Sequence, residues 1–248
     1  MSATDAALLR HGRRRRRGWR EGGSSVRGWD LEMLGWAVFA LGVGVLLAHA
    51  ASVALPVETS SDASRVVFWV ALLAPAVFAL RRSRPRGLLR IRLVDLAYGI
   101  VFGLVVRGTQ GVLAGLEGAV AWPSTFTTGD GLPSSFLTDA VGDVIVAPLC
   151  EEIFFRGVVL LCIFAVVKRW SGPLAAGVAA VALSTALFVV THQILGAPDA
   201  VDLAALALLG VVTGVFVVGT GRIWPAVAVH IVFNASGIAL VAIGTLLA

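Results

Sequence analysis

Seven apolar runs, each set off from the next by a polar or charged connection, constrain this chain more than any other feature of its sequence. They cover about 31–55, 66–80, 93–116, 138–167, 173–195, 201–218 and 223–247. A helix crosses the hydrocarbon core of a bilayer with roughly 17–25 residues. All but the second run reach that length unaided, and Val66 to Leu80 reaches it with a few flanking residues. Only 14% of the residues are charged and 58% are hydrophobic, where a soluble domain carries about 25% charged residues. The expected fold class is therefore all-α, a polytopic membrane helical bundle of about seven transmembrane helices without a separate soluble domain.

Charge sets the expected orientation. Residues 1–30 are rich in arginine, with Arg13 to Arg17 unbroken, and a second cluster occupies 81–92. The first immediately precedes a membrane segment, and the second has no interleaved aromatics. Both read as cytoplasmic retention near anionic lipid, and no nucleic-acid partner is expected. With the N-terminus in the cytoplasm and alternating spans, 17 of the 20 basic residues fall on the cytoplasmic side. Arg65 alone falls on the opposite side, while Arg107 and Arg156 lie in spans. The expectation is N-in and C-out, in the cytoplasmic membrane of a bacterium. The first run is too long for a signal-peptide core, and no small-residue cleavage site follows it. Three regions are expected: a basic cytoplasmic tail at 1–30, variable N-terminal transmembrane helices at 31–137, and a functional core at 138–248.

Punctuation inside the runs gives further expectations. Pro56 to Arg65 reads as a polar connection, and Pro75 and Pro148 read as kinks. Gly99 and Gly103, four residues apart, offer a close-packing surface. Arg107 reads as a snorkelling residue or an interhelical partner, and Asp95 as a helix-end or interior residue. Residues 117–135 read as an extramembrane loop, and 219–222 as a tight turn. Cys150 and Cys162 are twelve residues apart, about 18 Å along one helix, which excludes a disulfide between them if the segment is a single helix.

The chemistry concentrates in Glu151-Glu152-Ile153-Phe154-Phe155-Arg156-Gly157, inside the fourth run. A charge near a bilayer centre costs roughly 2.5–3.5 kcal/mol on insertion scales, so three of them together need a reason. Adjacent helical residues point about 100° apart, so the two glutamates face different ways. Glu152 and Arg156 share a face at a spacing of four, which leaves Glu151 freer to face a cavity, and the reverse assignment stays open. Phe188 and His192, and His230 and Asn234, are likewise four apart. Two carboxylates and two imidazoles can activate a water, bind a divalent metal, or relay protons or a transported ion. Each histidine can equally be an interfacial or packing residue. His11 and His49 lack comparable company and receive no role.

Taken together, Glu151-Glu152-x-x-x-Arg156, Phe188-x-x-x-His192 and His230-x-x-x-Asn234 resemble the CPBP family of intramembrane proteases, also called the CAAX-protease and bacteriocin-processing, or Abi, family. The resemblance covers about Asp143 to Ala248. It implies hydrolysis of a peptide bond in a membrane-associated or lipidated substrate. In eukaryotic relatives that substrate is a prenylated protein cut after the modified cysteine. It implies Glu151 as activator of water with help from His192, Glu152 as an aligning group, and Arg156 as its counter-charge. His230 and Asn234 would stabilise the oxyanion or position water and substrate, with Phe188 in support. The family is described as both metallo- and glutamate-dependent. No His-Glu-x-x-His pair is present, and the metal-free mechanism is favoured over a divalent metal such as zinc. A membrane scaffold that keeps the motifs without cleaving, and a transporter, are the competing readings. Substrate identity and oligomeric state stay open.

One geometric difficulty accompanies this expectation. Counted from the expected cytoplasmic ends, Glu151 lies about 24 Å deep, His192 about 28 Å and His230 about 12 Å. Straight, vertical helices would not bring them together, whereas tilt, a kink at Pro148 or a sunken 219–222 turn would.

Overall fold

The computed structural model describes residues 18–22, 24–118, 123 and 131–247, and among these it contains helices and no strands. Residues 1–17, with His11 and the Arg13–Arg17 run, lie outside the described residues, as does most of the 117–135 connection. Seven long helical segments follow one another: α1 Leu31–Ala54, α2 Val57–Arg82, α3 Leu93–Leu116, α4 at 136–167, α5 Pro173–Gly196, α6 Ala200–Thr220 and α7 Trp224–Leu247. All except α4 are uninterrupted, and each of those six is long and apolar enough to cross a membrane. The fold is thus a polytopic all-α bundle.

Local chemistry explains most boundaries. The Asp30 side chain accepts from the Met33 backbone N–H at 3.0 Å and starts α1. Asp199 does the same for α6 through the Asp202 N–H at 2.8 Å, the usual way to satisfy a free first-turn donor. Gly221, at φ 73°, ends α6 in the left-handed region that glycine reaches without steric cost. The polar stretch after Pro56, expected as a connection, is instead the first two turns of α2. Proline at the cap accepts from Ser60 N–H at 2.9 Å, and nothing from 57 to 65 is a glycine or proline that would break the helix. The helix also continues through the buried Pro75.

The helices pack as three neighbouring pairs around α4. α1 and α2 form a hairpin. α3 lies against α7, where a side chain on Gly99 would meet Ala228 Cβ at 2.5 Å and one on Gly103 would meet the Val229 carbonyl oxygen at 2.8 Å. Small residues permit that approach in a setting where packing, not water exclusion, holds helices together. α5 pairs with α6. α4 runs between them, and Phe154, Phe155 and Val158 to Phe164 are buried without a break. Arg107 reaches across to α7: its Nη2 donates to the Phe233 carbonyl at 2.8 Å, and its guanidinium lies 4.0 Å from the Phe233 ring centre. Cys150 and Cys162 are free and buried.

The segments rich in arginine meet at one end of the bundle. There the indole N–H of Trp19 donates to the Gly221 carbonyl, that of Trp29 to Ser83 and that of Trp224 to Leu89, all at 2.9–3.0 Å. Arg20 Nη1 donates to the Gly219 carbonyl at 2.7 Å. These bonds place residues 18–22, 24–30 and 83–92 over the α6–α7 turn. Beneath them Arg222 and Asp95 form a buried pair, with Nη2 to Oδ1 at 2.5 Å and Nε to both carboxylate oxygens at 3.1 and 3.2 Å. Gly221, Arg222 and Ile223 of the turn are therefore buried.

Candidate active site

The first thing that positions the site is a defect in α4. Its backbone passes through two π-helical stretches, Gly142–Val146 and Glu152–Val159, separated by Ala147–Glu151. π-Turns inside α-helices are rare and concentrate at functional sites. The Ala147 N–H donates to the Gly142 carbonyl, one residue beyond the α-helical partner. In that register the next donor, owed to the Asp143 carbonyl, would come from residue 148, which is a proline without an N–H. The orphaned carbonyl is taken by Asn234 of α7, whose Nδ2 donates to it at 2.7 Å. Proline, carbonyl and amide thus lock α4 to α7 beside the paired glutamates. Asn234→Ala leaves the half-buried carbonyl unpaired, and the expected loss is about 1–3 kcal/mol, read as a fall in thermal stability in detergent.

The glutamates face different groups. Glu152 is fully buried. Its Oε1 lies 2.9 Å from His230 Nδ1, and its Oε2 lies 3.4 Å from Arg156 Nε. Arg156 is also fully buried, with its guanidinium 4.4 Å from the Phe188 ring centre. A side chain on Gly210 of α6 would come within 3.2 Å of Arg156 Nη2, so that glycine makes room for the guanidinium. Phe188 stacks between the parts: its ring centre lies 4.3 Å from that of His192 and 5.9 Å from that of His230.

Glu151 points elsewhere. Its Oε2 lies 3.7 Å from His192 Nε2 and 3.8 Å from His230 Nε2, and it has no hydrogen-bond partner among the described residues. Those distances exceed hydrogen-bond length. Glu151 and His192 line a cavity of about 310 Å³ with Ser64, Arg65, Trp69 and Asp143. His192 Nδ1 is held by the Phe188 carbonyl at 3.0 Å. With the protons on both Nδ1 atoms, each imidazole presents its Nε2 to the Glu151 carboxylate. The outer contacts of the two histidines, a carbonyl and a carboxylate, each call for a proton on Nδ1.

The structure therefore brings Glu151, Glu152, Arg156, Phe188, His192 and His230 into one cluster. It directs Asn234 to the α4 backbone, and among the described residues no hydrogen bond joins Asn234 to Glu151 or either imidazole. Among the described residues no group of three or more His, Cys, Asp or Glu side chains is arranged to hold a metal ion. No chemical step below uses a metal ion.

Two further contributors escaped the sequence. Arg65 of α2 pairs with Asp139 of α4 at 2.7 Å and lies 3.9 Å from Asp143. Its signal was its isolation, as the lone basic residue on its side of the charge map. Asp143 contributes its carbonyl, and its signal was the five-residue step to Pro148, the spacing of a π-turn.

A polytopic bundle with a buried glutamate–histidine cluster beside a cavity fits the class of intramembrane hydrolases. Residues 133–236 match the model of the family described as type II CAAX prenyl endopeptidase Rce1-like. That match spans all three motifs and is consistent with the resemblance to CPBP intramembrane proteases. Comparison with curated proteins gives no match, and comparison with solved structures gives none.

Proposed function

We propose that this chain is an intramembrane endopeptidase that hydrolyses a peptide bond of a membrane-associated or lipidated substrate. The family match supports a CAAX-type protease. The observation that carries the mechanism is the Glu151 carboxylate oxygen, buried and unpartnered, with an imidazole nitrogen 3.7 Å away on one side and another 3.8 Å away on the other. A water among these three atoms donates one hydrogen to Glu151 and the other to His192 Nε2. Glu151 takes the proton as the water oxygen attacks the substrate carbonyl carbon.

His230 takes the second role. In this reading its acting form is the imidazolium. Glu152 accepts from Nδ1 of that imidazolium, and its Nε2–H donates to the developing oxyanion. Collapse of the tetrahedral intermediate breaks the C–N bond, and the proton held by Glu151 passes to the leaving amine. Arg156 is a positioning residue, because it acts on this chemistry through Glu152.

The test is cleavage in lipid vesicles of peptides ending in a lipid-modified or unmodified C-terminal segment, by the purified chain. Release of the C-terminal fragment is expected, with a rate unchanged by a strong chelator. Loss of activity on chelation and its return with a divalent ion would overturn the metal-free mechanism. Absence of fragment release from both peptide types would count against the endopeptidase reading.

A further inference from the structure

We infer that the Glu151 cavity opens toward the extracytoplasmic face, so that the substrate is a peptide segment presented on the outer side of the membrane. This rests on the endopeptidase reading above for what happens to the peptide, and on two independent observations for where it comes from.

The first observation is the position of the mouth. Its lining includes Ala48 near the end of α1, Ser64 and Arg65 in the early turns of α2, and Leu195 and Gly196 at the end of α5. These residues cluster toward the α1–α2 and α5–α6 connections. Arg65 and Arg81 belong to the same helix, sixteen residues and therefore about 24 Å apart. The mouth and the arginine cluster are at opposite ends of the bundle.

The second observation is charge. The end opposite the mouth gathers the described residues 18–22, 24–30, 81–92, 168–169 and 222, which hold 11 of the chain's 20 basic residues. Short loops rich in Lys and Arg stay in the cytoplasm, which fixes the orientation of the whole bundle. At the mouth end the connections hold only Arg65, and Asp139 pairs with it. A chain inserted the other way would have to carry the tail and both arginine loops across the membrane. Orientation by charge thus points the cavity outward, and Glu151 is reached from that side between α2, α4 and α5.

Single cysteines test this in intact protoplasts with a membrane-impermeant maleimide. Gly196→Cys is at the mouth, where the glycine has open space around it, and Arg90→Cys is exposed at the other end. Buried Cys150 and Cys162 define the background in the unchanged chain. Gly196→Cys is expected to label in intact protoplasts as fully as after lysis, and Arg90→Cys only after lysis. The reverse pattern, or labelling of Arg90→Cys before lysis, overturns the inference. An alkaline phosphatase fused after Leu247, active only in an oxidising compartment, provides a second reading that depends on no mouth substitution. Its activity supports the inference, and its inactivity overturns it. A reporter peptide is then anchored on either face of the same cells. Cleavage of the outer one alone is expected, and cleavage of only the inner one overturns the access side. Correct labelling with neither peptide cut counts against the endopeptidase reading and leaves the orientation standing.

Discussion

Glu151→Gln is expected to stop peptide cleavage while leaving the protein inserted and at least as stable. The amide keeps the size and shape of the carboxylate but cannot take a proton from water. General-base catalysis contributes about 10²–10⁴-fold, and the loss should appear in kcat with KM little changed. Stability should not fall, because Glu151 Oε2 is buried with no hydrogen-bond partner among the described residues. Burying an unpaired charged oxygen costs free energy, and the neutral amide removes that cost. Cleavage kinetics in vesicles and thermal unfolding in detergent check the two halves. An undiminished rate would remove Glu151 from the chemistry, and a large fall in stability would make it a structural residue.

Arg156→Met should have the opposite signature. Arg156 and Glu152 are both fully buried and 3.4 Å apart. Removing one member of a buried ion pair typically costs about 3–5 kcal/mol, because the other charge is left uncompensated. The expected result is a marked fall in unfolding temperature together with loss of activity. Adding Glu152→Gln to Arg156→Met should restore much of the stability, since no charge is then stranded. It should not restore the rate, because His230 would no longer face a carboxylate at Nδ1. Equal unfolding temperatures for Arg156→Met and the unchanged chain would show that the pair contributes nothing to stability.

Much of this arrangement was legible in the sequence, and the reasons differ from part to part. The bundle follows from run length and the scarcity of charge. The Gly99 and Gly103 pair was readable because small residues four apart leave a groove, and the structure fills it with Ala228 and Val229. That Glu151 and Glu152 face different groups follows from the angle between adjacent helical residues. What was hidden depends on backbone register. The π-turns in α4 leave no mark in composition, and Asn234 could not be assigned to the Asp143 carbonyl without them. The start of α2 was hidden for another reason: serine, threonine and acidic residues look like a loop, yet a proline cap with no later breaker lets the helix continue. The packing around the 219–222 turn was hidden as well. Trp19, Arg20 and the Asp95–Arg222 pair cover it, and those contacts link residues about 130–200 positions apart in the chain, where local pattern carries no information.

The bond between Asn234 and the Asp143 carbonyl has a consequence for biosynthesis. Its two ends are 91 residues apart, and Glu152 and His230 are 78 apart. While α4 is being threaded into the membrane, its carbonyl has no amide to meet and its buried glutamate has no imidazole. Both wait for α7 to leave the ribosome. A chain halted before α7 therefore holds Glu152 without its imidazole partner and α4 without the Asn234 brace.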